Sequence, residues 1–203
     1  MGFNLGFDLD GVIGQTAEMA IKHVNDIFKC KFTVDVLNTF NFSDNVFSDD
    51  PDEQKVVVDV LVEAVFNKEL LSTIKPYPGA SKTLHTLKHK NHKIFIITKR
   101  SVDYEEMTAD WLHKYNIPYD GLVLTGNKDK SVFARKFRLD FFIDDLEDNL
   151  YELYKHKTKW EKGLFLMNRP WNVNKYIDTT KITRVKDWNR VVQVVSVGNR
   201  LKS

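Results

Sequence analysis

The chain has 203 residues, 42% hydrophobic and 29% charged, with nine Gly, five Pro and one Cys. This balance excludes collagen-like, linker-like and disordered chains, and the length suffices to bury a core without disulfides. The net charge of +2 is too small to imply a nucleic-acid partner. No apolar run approaches the roughly 20 residues of a membrane span, and the lone Cys30 cannot pair within the chain, so a reducing cytoplasm is the expected setting.

The first apolar run, Phe3–Leu9, reads as a strand buried on both faces. Residues 14–75 then break the pattern. Ala17, Ala20, Ile21, Val24, Ile27 and Phe28 form one helical stripe, and Val57, Val60, Leu61, Ala64 and Val65 form another. No convincing strand lies between them. This segment has a charge balance of −5 against +7 for the remainder, which marks it as a separate unit. Its exit, Ile74-Lys75-Pro76-Tyr77-Pro78-Gly79, is a stiff return.

Beyond it, helical stretches alternate with short apolar runs. Leu84 and Leu87 belong to a helix, followed by a strand at Ile94–Ile97. Tyr104, Met107, Trp111, Leu112 and Tyr115 mark the next helix, before a strand at Leu122–Leu124. The helix Ser131–Phe137 precedes a strand at Phe141–Ile143. Leu146, Leu150, Leu153 and Tyr154 mark a helix before the strand Leu164–Met167. The expected fold is α/β: a doubly wound parallel sheet built from residues 1–13 and 76–203, with a small helical unit, residues 14–75, inserted after the first strand.

The chemistry-bearing residues collect at strand ends. The first strand ends Asp8-Leu9-Asp10-Gly11-Val12, and the C-terminal edge of a parallel sheet is where such folds place ligands. Gly11 permits a turn that aims backbone N–H groups at that edge. The second strand ends Thr98-Lys99-Arg100, offering a hydroxyl and N–H groups. Lys130 opens a helix, with Lys128 as a nearby competitor. The fourth strand ends in Asp144-Asp145. Each string alone has a bland reading: a turn, a common strand residue, a solvated lysine, a helix N-terminus. Together they put clustered carboxylates for a hard cation beside donors for an anion.

This set resembles the haloacid dehalogenase-like (HAD) hydrolase superfamily through Asp8-Leu9-Asp10-Gly11-Val12, Thr98, Lys130 and Asp144-Asp145, in the family's order. The insertion resembles that superfamily's helical cap on a Rossmann-like core. Within it the chain is most similar to the 5'(3')-deoxyribonucleotidases of the cytosolic type C and their bacterial and phage relatives. That likeness rests on the insertion's size, Tyr77-Pro78-Gly79-Ala80, Phe141-Phe142-Ile143-Asp144-Asp145 and Asn168-Arg169-Pro170-Trp171-Asn172. Thr98-Lys99-Arg100 departs from it, because a small residue is expected after the threonine.

The resemblance implies a phosphomonoesterase for a (deoxy)nucleoside monophosphate, with no membrane or stable nucleic-acid partner. Asp8 would attack phosphorus, and Asp10 would protonate the leaving alcohol and then deprotonate water. Asp10 would have to be held protonated, by Asp8 and the phosphate. Mg2+ would be held by Asp8, the Asp10 carbonyl and Asp144, with Asp145 through water or behind them. Thr98, Lys99 and Lys130 would receive the phosphate oxygens. A second motif-one aspartate also disfavours dehalogenation, since halide leaves unprotonated.

Phe40, Phe42 and Phe47 lie in a polar stretch of the insertion with Asn38, Asn41, Ser43 and Asn45, where aromatic faces suit a nucleobase and amides its edge. Packing the insertion's own core is the more ordinary role for any one of them, with a base contact expected from at most some of the three. Trp171 and Asn172 read as an anchor for the last strand, and Trp160 and Trp188 as packing. Two other functions fit the same residues: a phosphatase for sugar phosphates or nucleic-acid 3'-phosphate ends, and a non-catalytic binding protein on this fold.

Overall fold

The computed structural model describes residues 2–126, 128–156 and 163–200, the last four in backbone only, so Trp160 lies outside the described residues. Its centre is a sheet of β1 (Asn4–Phe7), β2 (Lys93–Thr98), β3 (Gly121–Leu124), β4 (Phe141–Asp144), β5 (Leu164–Met167) and β6 (Ile182–Val185). The order is β3-β2-β1-β4-β5-β6 and every pairing is parallel. The chain winds outward from β1 in one direction, then from β4 in the other. The β1/β4 boundary is therefore the topological switch point, where a crevice opens beyond the strand ends.

Strand residues alternate between two buried layers. Leu5, Phe7, Ile94 and Ile96 join one apolar cluster with Leu84, Trp111 and Trp188, while Phe95, Ile97, Phe142 and Leu164 join another with Leu139 and Leu150. Both faces being covered explains the unalternated apolar runs. At Gly6 an added Cβ would lie 2.4 Å from the Phe142 ring, so the β1–β4 contact requires glycine there. The covering helices are numbered in chain order after the three of the insertion. They are α4 (Ala80–His89), α5 (Glu105–Lys114), α6 (Lys130–Lys136), α7 (Glu147–Lys155) and α8 (Trp188–Arg200).

Between β1 and α4 the chain forms α1 (Thr16–Phe28), α2 (Pro51–Phe66) and α3 (Lys68–Thr73), with short 3-10 turns at Val34–Val36 and Phe42–Asp44. Asp50 caps α2 by accepting the N–H groups of Asp52 and Glu53, with Pro51 in the first turn where a missing N–H costs nothing. These elements enclose their own apolar cluster, including Ile21, Val24, Phe47, Val57 and Leu61. Gly14 pairs antiparallel with Pro76, and Tyr77 donates its N–H to the Ile13 carbonyl at 2.8 Å, so entry and exit run side by side. No helix among the described residues is long and apolar enough to cross a membrane.

Candidate active site

The register of the sheet assembles the site. Phe7 is paired with Ile143, and the Asp8 N–H donates to the Ile143 carbonyl at 2.9 Å. Asp8 and Asp144 therefore leave neighbouring strands side by side at the switch point. Asp8, Asp144 and Asp145 are buried, and one carboxylate oxygen from each lies within 4.8 Å of the others.

Lys130, the first residue of α6, enters this group. Asp129 caps that helix by accepting the Ser131 N–H at 2.7 Å, which fixes where the lysine departs. Its Nζ stands 2.9 Å from Asp8 Oδ1 and 2.8 Å from Asp144 Oδ2. Lys128 is exposed. Asn149 donates to both oxygens of Asp144, at 3.1 and 3.2 Å, and the Leu146 N–H donates to Oδ1 at 3.0 Å. Asp145 accepts the Trp171 indole N–H on Oδ2 at 2.9 Å. Gly11, at φ +74, passes so close that an added Cβ would be 2.2 Å from that oxygen.

Burial pushes the Asp8 carboxyl up to about 7, aided by the Asp144 and Asp10 charges and opposed by Lys130. Burial and the neighbouring Asp144 and Asp8 also raise Asp145 well above the carboxylate range. For Lys130 burial works against the charge, but Asp144 and Asp8 outweigh it and hold the ammonium protonated. Three buried carboxylates face one ammonium, with Arg169 adding a more distant positive charge toward Asp145, so full ionisation leaves an excess of negative charge. A dense oxygen donor set with that excess could hold a metal ion.

Asp10 is handled differently. Arg100, itself buried, clamps it with Nε 2.9 Å from Oδ2 and Nη2 2.7 Å from Oδ1, and the Thr16 hydroxyl donates to Oδ1. Arg100 also donates to the Thr108 hydroxyl at 3.3 Å. Burial alone would raise Asp10, but the Arg100 charge and hydrogen bonds, helped by Thr16, hold it below its ordinary value. In the phosphate-free chain Asp10 is therefore held ionised by Arg100, an ion partner that the sequence alone does not give it. Arg100 lies just beyond the end of β2 and is buried, whereas Lys99, between it and Thr98, is exposed.

Thr98, buried at the end of β2, places its hydroxyl 3.5 Å from Asp10 Oδ2 and accepts the Arg100 N–H at 3.3 Å. The Lys99 side chain is exposed and does not join the cluster. In the insertion, Phe47 is buried in the apolar cluster, edge-on to Phe32 at 5.5 Å, and Phe42 packs against that cluster. Of Phe40, Phe42 and Phe47, it is Phe40, 57% exposed, that presents its ring at the surface. Asn45 is also internal, accepting the N–H groups of Asn38 and Thr39 at 2.6 and 3.1 Å.

Sequence reasoning also missed the work of the loop after β5. Arg169 donates to the Gly11 carbonyl and stacks on the Tyr77 ring, 3.6 Å from its centroid. Asn172 donates to the carbonyls of Asp145 and Met167, both at 2.8 Å. Trp188 is buried against Phe7 and donates to the Val12 carbonyl at 3.2 Å. The loop thus braces both acidic strand ends.

Comparison with solved structures places this architecture. A HAD-superfamily hydrolase (subfamily IA, variant 1) from Geobacter sulfurreducens aligns over 96% of each chain, with a TM-score of 0.55 and 11% identity, a likeness of fold. The family described as "5' nucleotidase, deoxy (Pyrimidine), cytosolic type C protein" matches residues 3–201. "Putative nucleotidase YqfW" of Bacillus subtilis is 27% identical over 197 residues, covering 93% of this chain and 91% of that protein. "Nucleotidase CA_C3379" of Clostridium acetobutylicum is 33% identical over 115 residues, 56% of each chain, so that match spans about half of the relative's length. The chain is a haloacid dehalogenase-like hydrolase. Within that superfamily it belongs to the cytosolic type C 5'-nucleotidase family.

Proposed function

We propose that this protein is a Mg2+-dependent phosphomonoesterase that dephosphorylates (deoxy)nucleoside monophosphates through an aspartyl-phosphate on Asp8. The observation that carries the reading is the convergence of Asp8, Lys130, Asp144 and Asp145 at the β1/β4 switch point, beside the Asp10–Arg100 pair. The names of the two nucleotidase relatives support the substrate class.

Among the described residues, the contacts to the Asp8 carboxylate from Lys130 and from the Leu9 N–H fall on Oδ1. Oδ2 is thus the candidate nucleophile. It forms a bond to phosphorus as the ester P–O bond breaks, and Asp10 gives its proton to the departing alcohol. Water then attacks phosphorus, Asp10 takes its proton, and inorganic phosphate leaves as Asp8 is regenerated. Arg100 holds Asp10 at a fixed position, and an arriving phosphate adds negative charge that raises the Asp10 carboxyl against the pull of Arg100. The Thr98 hydroxyl, the chain at Lys99 and the Lys130 ammonium receive the phosphate oxygens.

Mg2+ fits the excess negative charge of the cluster, held by Asp8, Asp144 and the Asp10 carbonyl, with Asp145 behind or through water. When bound it supplies charge neutralisation for an anionic substrate entering a group of carboxylates. Residues 14–75 act as the cap that sets substrate choice, and the setting is cytoplasmic.

A phosphate-release screen with Mg2+ tests this. Deoxynucleotides should outrank sugar phosphates and 3'-phosphorylated oligonucleotides in kcat/KM. Preference for either of the others redirects the substrate, and no turnover of any ester would make the chain a binding protein.

A further inference from the structure

Trp171 belongs to two regions at once. Its ring is buried in the cluster formed by α1 and α2, with Ile21, Val24, Phe47, Val57 and Leu61. Its Nε1–H donates at 2.9 Å to Asp145 Oδ2 in the acidic group. An indole has one donor and no acceptor, and a buried donor must be paired, so the ring cannot shift without releasing that carboxylate. The next residue, Asn172, ties the Asp145 carbonyl to the Met167 carbonyl, which leaves the Asp145 side chain oriented by Trp171. An apolar anchor would need only the ring. The N–H adds a specific hold on Oδ2, the same carboxylate oxygen that Gly11 approaches most closely.

We propose that Trp171 is a positioning residue that couples cation occupancy of the Asp8–Asp144–Asp145 cluster to the packing of the helical insertion. The proposal rests on reading that cluster as a cation site. Partners that orient a ligating carboxylate from behind contribute strongly to metal affinity. Coupling is reciprocal: whatever the insertion contributes to cation binding, the cation returns as order in the insertion. A substrate closed under the insertion would then meet a filled and oriented site, and release of the cation would loosen the cover.

The test is made on the whole chain. Trp171→Phe keeps the apolar ring and removes only the donor. Titration calorimetry with Mg2+ should give an affinity at least about 10-fold weaker than in the unaltered protein. Amide hydrogen exchange of the unaltered protein, with and without saturating Mg2+, should show slower exchange in α1 and α2 with the ion present, and this measurement needs no variant to fold. Equal Mg2+ affinity in folded W171F overturns the coupling and leaves the cation site standing. Unchanged exchange in α1 and α2 does the same. Absence of Mg2+ binding by the unaltered protein overturns the cation reading and the coupling together.

Discussion

Asp8 and Asp10 stand two residues apart at the end of the same strand, yet the fold treats them in opposite ways. Asp10 is matched charge for charge by Arg100, in a two-point contact with Thr16 supporting it. Asp8 shares a single ammonium with Asp144 while Asp145 crowds the same space. The compensated carboxylate is held low and fixed in place, whereas the under-compensated group is raised by burial and mutual repulsion. Folding does not favour such an excess of buried charge, so its presence points to something outside the chain that removes it.

The largest expected effect falls on the uncompensated side. Asp8→Asn should lower turnover of any phosphomonoester by at least about 10^4-fold, as expected for loss of a nucleophile. Activity and urea unfolding should be measured on the same pure protein, with reversion of the amide to Asp excluded. A folded variant that keeps substantial turnover would remove Asp8 from the nucleophile role. Chelation with EDTA should stop catalysis and added Mg2+ restore it. Mg2+ should also raise the Tm through its preference for the folded state. Full activity in metal-free buffer would show that the excess charge has another purpose.

Arg100→Met tests the compensated side. Breaking a buried pair costs about 3–5 kcal/mol, reduced here because the Asp10 side chain is 29% exposed. Denaturant unfolding should show a loss of about 2 kcal/mol, and adding Asp10→Asn to that variant should recover part of it. Additive losses would mean that the pair is not an energetic unit.

A smaller difference separates the two groups by pH. Asp8 has a folded pKa near 7 against an ordinary value of 3.8. The folded state therefore holds a proton that the unfolded chain has released, and stability associated with it is lost as pH rises through 7. Asp10 is shifted downward, so it titrates below this window. In EDTA, the unaltered protein should gain stability relative to Asp8→Asn between pH 8 and 6. Parallel curves for the two proteins would argue against a protonated Asp8 in the metal-free state.

Much of this comparison was legible in the residues. The strands buried on both faces appear as apolar runs, and four of the acids end such runs. The sixth strand, Ile182-Thr183-Arg184-Val185, was not expected, because it is an edge strand whose two central residues are only half buried and polar. The Arg100–Asp10 contact spans 90 positions, and only the sheet order brings β2 beside β1. Trp171 read as a packing anchor because sequence shows a ring's hydrophobicity and not which acceptor its N–H meets. The polar stretch did not show which of Phe40, Phe42 and Phe47 packs inward: Phe47 does, and Asn45 uses its amide to close the loop.

The insertion offers the finest distinction, between Phe47 inside it and Phe40 on its surface, and Phe40 carries the smallest effect of all. Phe47→Ala empties a buried site beside Phe32, so it should cost about 3–5 kcal/mol of stability and reduce activity on every substrate alike. Phe40→Ala removes an exposed ring and should leave the unfolding midpoint nearly unchanged. If that ring stacks on the base of a bound deoxynucleotide, its loss raises KM by the low end of a stacking contact, about 1 kcal/mol or roughly fivefold. Hydrolysis of p-nitrophenyl phosphate should stay the same, because that ester has neither nucleobase nor sugar for the insertion to recognise. Assays of both substrates on both folded variants separate the roles. Equal losses on the two esters in Phe40→Ala would assign the ring to packing, and no loss on either would move base recognition away from this stretch.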